Sequence, residues 1–284
     1  MKPAPFSYMR VKSLEEAFDL LEEYGEDARI LSGGQSLMPT LNMRLSAPKI
    51  LIDINQISGL SDIEIKNDKV RVGSLVRHNH LSSSDIVTKH LPLVSKAVPH
   101  IAHHAIRNRG TIGGSIAFAD PAAELPAVAK AAGFTFIIKN RNEEREVEAE
   151  DFFLGLFETS LKETEILIAI EAPKLQQNEK TAFIELSRRQ GDYAIIGVAA
   201  QSVVENSVFK DIRLAYFGAG DKPVMAKQAI DLLEGQSYSE EVVSEAQKAL
   251  EADLNPMDDL NGPPEMKMHL ARVITARALA DLIS

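Results

Sequence analysis

The 284-residue sequence contains no cysteine. That excludes disulfides, thiolate zinc sites, a nucleophilic thiol and any iron–sulfur cluster ligated by this chain. A basic excess is missing as well: 31 Lys and Arg stand against 41 Asp and Glu, a formal net charge of −10, with the two signs interspersed. Nucleic acid and anionic membranes both reward basic patches, so neither is expected as a partner. No run is long and apolar enough to span a bilayer, and Met1-Lys2-Pro3-Ala4-Pro5-Phe6 has no apolar signal core. A cytoplasmic protein is the expectation. Tandem repeats and low-complexity tracts are absent. So are two nucleotide signatures, the Gly-Lys-Ser/Thr ending of a P-loop and the Gly-x-Gly-x-x-Gly fingerprint. A nucleotide cofactor would have to be held by some other fold.

Two stretches stand out among what is present. They are Ile30-Leu31-Ser32-Gly33-Gly34-Gln35-Ser36-Leu37 and Arg109-Gly110-Thr111-Ile112-Gly113-Gly114-Ser115. Each places a Gly-Gly pair and small hydroxyl residues where an apolar run meets a turn. Glycine lets backbone approach a ligand closely, and exposed N–H groups flanked by hydroxyls form a nest for phosphate oxygens. A single Gly-Gly pair is usually a tight turn. Two of the same composition, facing each other, would supply the many donors a diphosphate needs.

The chain around them reads as scaffold. Phe6–Val11 alternates as a short strand, and Ser13 with Glu16 three residues on caps a helix through Tyr24. Ala28–Leu31 and Lys49–Ile54 are apolar strands, so the opening is a small α/β unit. Ile63–Lys66 and Val70–Gly73 flank Asn67-Asp68 as a hairpin. His80–Ile106 is helix-rich, a helix is expected over Ala122–Ala132, and Phe134–Ile138 and Glu165–Ile170 are strands. Polar, aperiodic Gln176–Lys180 marks a boundary. Beyond it the pattern predicts three strands (Thr181–Leu186, Ala194–Val204, Ile212–Gly218) and three helices (Met225–Leu233, Ser239–Leu254, Glu265–Ile283). The expected divisions are 1–56, 57–176 and 177–284.

His100, His103 and His104, at i, i+3 and i+4, would share a helical face. With Asp120 or Glu124 they would offer metal ligands, although histidines beside a ligand mouth or on a solvated face are the commoner outcome. No metal site and no catalytic dyad is assigned; the serines near glycine lack a spaced His and Asp. Arg188-Arg189-Gln190-Gly191-Asp192-Tyr193 precedes an apolar strand. It reads as a turn with Tyr193 in ordinary packing, or as a loop fixed by Asp192 with Tyr193 over a flat cofactor ring.

Four ordered motifs carry a resemblance that covers essentially the whole chain. They are Gly33–Leu37, Ile106–Ser115, Ala119-Asp120-Pro121-Ala122-Ala123-Glu124 and Arg189–Ala194. The sequence resembles the FAD-binding medium subunits of the molybdenum hydroxylases, the group of carbon monoxide dehydrogenase and xanthine dehydrogenase. The resemblance implies an α+β chain: a two-lobed FAD-binding fold of the vanillyl-alcohol-oxidase (PCMH) type, then a C-terminal domain of a three-stranded sheet and three helices. Leu31, Ser32, Gly33, Gly34, Gln35, Ser36 and Leu37, with Thr111, Ile112, Gly113, Gly114 and Ser115, would hold the diphosphate. Asp120 and Glu124 fall in a cofactor-binding segment, Leu167 would pack on the cofactor, and Asp192 and Tyr193 would approach the isoalloxazine.

The chain departs from the family pattern at His104-Ala105, where Pro-Gln is common, at Phe118, where His is frequent, and at Ile184-Glu185, where some members carry lysine. The lack of cysteine also excludes the iron–sulfur insertion of the benzoyl-CoA reductase-like branch. The implied role is electron transfer: FAD here takes electrons from two [2Fe–2S] clusters on a small partner and passes them to an external acceptor. Substrate is oxidised at a molybdopterin centre on a large partner, within a dimer of heterotrimers. The rival readings are a stand-alone flavoenzyme of the UDP-N-acetylenolpyruvylglucosamine reductase type and a non-enzymatic structural subunit.

Overall fold

The computed structural model describes residues 2–284. The N-terminal unit is a parallel three-stranded sheet of β1 (Ser7–Arg10), β2 (Ala28–Leu31) and β3 (Ile50–Asp53), with β3 in the middle. The helix Leu14–Tyr24 makes the crossover. Its Ser13 cap accepts from the Glu16 amide at 3.2 Å, while the Glu16 carboxylate accepts from the Lys12 amide at 2.7 Å. This reciprocal pairing satisfies amides that a helix start leaves open.

The central sheet contains β4 (Ile63–Lys66), β5 (Lys69–Gly73), β6 (Thr135–Lys139) and β7 (Glu144–Glu148). A short hairpin of β8 (Phe153–Gly155) and β9 (Glu158–Thr159) precedes β10 (Ile166–Pro173), which is the middle strand of that sheet, in the order β4-β5-β10-β6-β7. Ile137, Ile166 and Ile168 face the N-terminal unit, whereas Phe136, Ile138, Leu167 and Ile170 face the central helices. Burial on both faces explains why β10 reads as a continuous apolar run instead of an alternating one.

The C-terminal sheet follows as β11 (Glu179–Ser187), β12 (Ala194–Glu205), β13 (Val208–Phe217) and β14 (Val224–Met225), in sequence order. Here the expected three strands are corrected to four. Met225 had been placed in a helix, yet Val224 and Met225 pair with Tyr216 and Ala215 across the open edge of β13, and the helix begins only at Lys227. The helices Lys227–Leu233, Glu240–Asp253 and Pro264–Ile283 cover one face through Ile196, Val198, Leu214 and Tyr216. The other face, through Ala199, Ala215 and Phe217, packs on the central helices. The described residues thus form layers in which both large sheets enclose the central helices.

Candidate functional site

The first glycine loop leaves β2 at Leu31 and enters the helix Leu37–Asn42 at Ser36. Among the described residues, no hydrogen bond uses the amides of Gly33, Gly34, Gln35 or Ser36; the Gln35 side chain instead donates to the Gly33 carbonyl at 3.0 Å. Gly34 has φ +72°, a conformation that favours glycine.

The second loop opens the helix Ile112–Phe118 and behaves differently. Thr111 caps that helix, its Oγ1 accepting from the Gly114 amide at 3.0 Å. The Ile112 and Gly113 amides donate to Val76 and Ser74, and the Ser115 amide donates to Thr111. Its donors are therefore spent within the protein, and the sequence expectation that both loops offer free amides holds only for the first. The two loops do meet. Ser32 Oγ and Thr111 Oγ1 share a hydrogen bond of 2.7 Å, and Gly33 lies against the backbone of Arg109 and Gly110.

A cleft of about 260 Å³ opens beside this contact, lined by Leu31 to Gln35, Met38, Pro39, Asp53, Asn55 and Arg109. Asp53 ends β3 and is almost fully buried. Burial works to raise its carboxyl pKa, but hydrogen bonds from Tyr8, Asn55 and Arg10 outweigh it, and the net shift is downward. Arg77 donates to Asn55 Oδ1 at 2.5 Å and to the Arg109 carbonyl, tying the end of β3 to the second loop. Burial and then the charge of Arg109 lower the Arg77 pKa. Neither arginine has an ion-pair partner among the described residues. Arg109 lines the cleft, where a guanidinium without a carboxylate favours an anion, while Arg77 is held by Asn55 and the Arg109 carbonyl.

Sequence reading missed Asp53, Asn55 and Arg77. A carboxylate closing the apolar run Lys49–Ile54 was a usable signal for Asp53. Asn55 follows the end of β3, Arg77 caps the helix His78–Ser83, and the two carry no spacing signature.

The helix Ile112–Phe118, about 10 Å long, leads from the loops to a second group. Ala119 ends it at φ +52°, and the Asp120 carboxylate accepts from the Ala122 amide at 2.9 Å. Burial raises the Asp120 pKa and pushes Glu124 up to about 7, with the charge of Asp120 adding to the latter shift. Tyr193 exposes 65% of its surface, yet burial around its hydroxyl, then the charges of Asp120 and Glu124, raise the hydroxyl pKa. Its loop is seated by Gly191, where a Cβ would stand 2.8 Å from the Ala102 carbonyl; the Asp192 amide closes the turn onto Arg189.

Leu167 does not reach the cleft. It is buried on the core side of β10 at a register shift against β6. The shared helical face of His100, His103 and His104 is corrected: His100 ends one short helix, Ala102 has φ +42°, and His103 caps the next. Among the described residues no group of His, Asp and Glu is arranged to hold a metal ion, and no helix is long and apolar enough to cross a membrane.

Comparison with known proteins agrees with this geometry along the whole chain. Residues 4–175 match the FAD binding domain in molybdopterin dehydrogenase, and residues 181–282 match the CO dehydrogenase flavoprotein C-terminal domain. The chain is 36% identical to the 6-hydroxypseudooxynicotine dehydrogenase complex subunit alpha of Paenarthrobacter nicotinovorans, over 100% of this chain and 96% of that one. It is 35% identical to the glyceraldehyde dehydrogenase medium chain of Sulfolobus acidocaldarius, over 99% and 100%. Among solved structures, carbon monoxide dehydrogenase from Hydrogenophaga pseudoflava superposes with a TM-score of 0.97 at 36% identity, covering 99% of this chain and 98% of that one. The chain belongs to the family of FAD-binding subunits of the molybdopterin dehydrogenases.

Proposed function

We propose that this chain is the FAD-carrying electron-transfer subunit of a molybdenum hydroxylase, accepting electrons from [2Fe–2S] clusters on a partner and passing them to an external acceptor. The observation that carries this reading is the run of four unpaired amides at Gly33–Ser36, set in a cleft that Arg109, without a carboxylate partner among the described residues, also lines. A diphosphate needs both features, and the residues present therefore fit FAD.

On this reading Ser32, Gly33, Gly34, Gln35 and Ser36 hold the diphosphate, flanked by Leu31 and Leu37. Thr111 to Ser115 support that loop from behind. Asp120 and Glu124 lie along the path to the isoalloxazine end, where Asp192, Tyr193 and, through the core, Leu167 act. Bound FAD supplies the capacity to take up electrons and release them to an acceptor. The chain's own residues bind, orient and shield it, and set its surroundings electrostatically.

The names of the relatives, a complex subunit and a medium chain, support a multi-subunit assembly. The proposal therefore includes a large molybdopterin-binding partner, a small [2Fe–2S] partner and a cytoplasmic dimer of heterotrimers. It also includes the vanillyl-alcohol-oxidase type of FAD fold and the divisions 1–56, 57–176 and 177–284.

The test is the visible spectrum of the complex purified mildly from its native host. Flavin bands with iron–sulfur shoulders, in a preparation containing a large and a small partner, are expected. Flavin on a chain that purifies alone would overturn the subunit role in favour of a stand-alone flavoenzyme. A colourless chain that fails to bind added FAD would overturn the reading altogether.

A further inference from the structure

Along β11, Ala182, Ile184 and Leu186 face the C-terminal helices, so by strand alternation Phe183 and Glu185 face the central helices. The Glu185 side chain is 1% exposed, and neither carboxyl oxygen has a hydrogen-bond partner among the described residues. An ionised carboxylate in that position would be without donors, which burial makes costly.

Its neighbours offer no relief. Glu124, at the start of the helix Glu124–Ala131, adds like charge, and burial together with that charge pushes Glu185 up to about 8. Gly197, opposite on β12, has no side chain. Lys96, on the helix packed against β11, donates to the Thr181 carbonyl. The helix Pro264–Ile283 packs on the other face of the sheet. The remaining contact is His100, whose Nδ1 lies 3.8 Å from Glu185 Oε2 and whose side chain is 41% exposed. Burial lowers the His100 pKa, which favours a neutral imidazole able to take a proton at one nitrogen and give one at the other.

We propose that the buried, donor-free Glu185 carboxyl holds a proton at neutral pH, and that His100, beside it, is the route by which that proton exchanges with solvent. In the exchange Nε2 gains a proton from hydronium, leaving water, while the N–H bond at Nδ1 breaks as an O–H bond forms at Glu185 Oε2; the imidazole ends neutral with its proton on Nε2, and no electrons change hands. The use of the exchange rests on the FAD reading: negative charge arriving on this chain favours the protonated carboxyl, and its departure favours release of the proton.

Infrared spectroscopy of the full chain tests this, with flavin absorbance recorded on the same samples and circular dichroism as the check on folding. The wild type should show a protonated-carboxyl C=O band at neutral pH that disappears as pH rises through about 8. Glu185→Gln should lose the part of the band that titrates near 8 and keep the part from Glu124 near 7. Glu124→Gln should shift its midpoint downward, and His100→Phe should keep it but slow its hydrogen–deuterium exchange. A band present without flavin would uphold the proton store and sink only the cofactor reading. Flavin present without the band in the wild type would overturn the store alone, as would a band unchanged in both glutamine variants.

Discussion

A Cβ on Gly33 would run into the Arg109 carbonyl oxygen and stand 2.9 Å from the Gly110 Cα. Both obstacles are backbone, so the loops would have to separate. At Gly34 the nearest obstacles are the movable ends of Leu31 and Met38, at 3.2 and 3.5 Å, and the penalty is the positive φ, about 1 kcal/mol. Gly33→Ala is therefore expected to lose FAD on gel filtration, read as flavin absorbance per chain, while Gly34→Ala retains most of it. Equal retention would show that loop contact is not what builds the cleft. The Gly-Gly pair was legible in the sequence as a place of close approach. That one of its glycines serves the other loop was not, because Arg109 is 76 positions away.

At the scale of the element, the helix Ile112–Phe118 has seven residues and includes Gly113 and Gly114. Such a helix is marginal on propensity alone and leans on its cap and its packing. Thr111→Val keeps the volume but removes the hydroxyl that both caps the helix and meets Ser32. A loss of about 1 kcal/mol is expected, measurable as a lower midpoint in urea, together with weaker FAD binding in a fluorescence titration. An unchanged midpoint would assign the helix start to packing against Ser74 and Val76. Elements set by neighbouring residues, such as the Ser13 cap and the hairpin at Asn67-Asp68, were readable in the sequence because their chemistry is local. The strand Val224–Met225 was not: two residues carry no period, and only the edge of β13 makes them a strand.

For the molecule as a whole, pH acts from both sides. His78 is buried and pushed down to about 4, so between its ordinary 6.5 and 4 the unfolded chain binds a proton that the folded chain refuses, and stability falls as pH falls. Glu185 and Glu124 act in the opposite sense. Between the ordinary carboxyl value of 4.5 and about 8 the folded chain binds protons that the unfolded chain has released, so stability falls as pH rises. Because the two windows overlap between 4.5 and 6.5, where the effects oppose, the carboxyl effect stands alone from about 6.5 to 8, and thermal melting should slope downward there. Glu185→Gln should flatten that slope and His78→Phe should change the profile only below about 6.5; a profile unmoved by either substitution would contradict these assignments. These three residues come from separate elements, and no window of sequence holds them together.

The bond between Ser32 and Thr111 joins residues 79 positions apart, from the N-terminal unit and the central one. A ligand seated there acts as a clamp, and its binding free energy opposes the parting of the two units. At a free concentration one hundred times its dissociation constant the clamp adds about 2.7 kcal/mol, and each further tenfold adds about 1.4 kcal/mol. On the FAD reading, cofactor supply thus governs how long the subunit escapes proteolysis, and a cell short of flavin loses the chain as well as its colour.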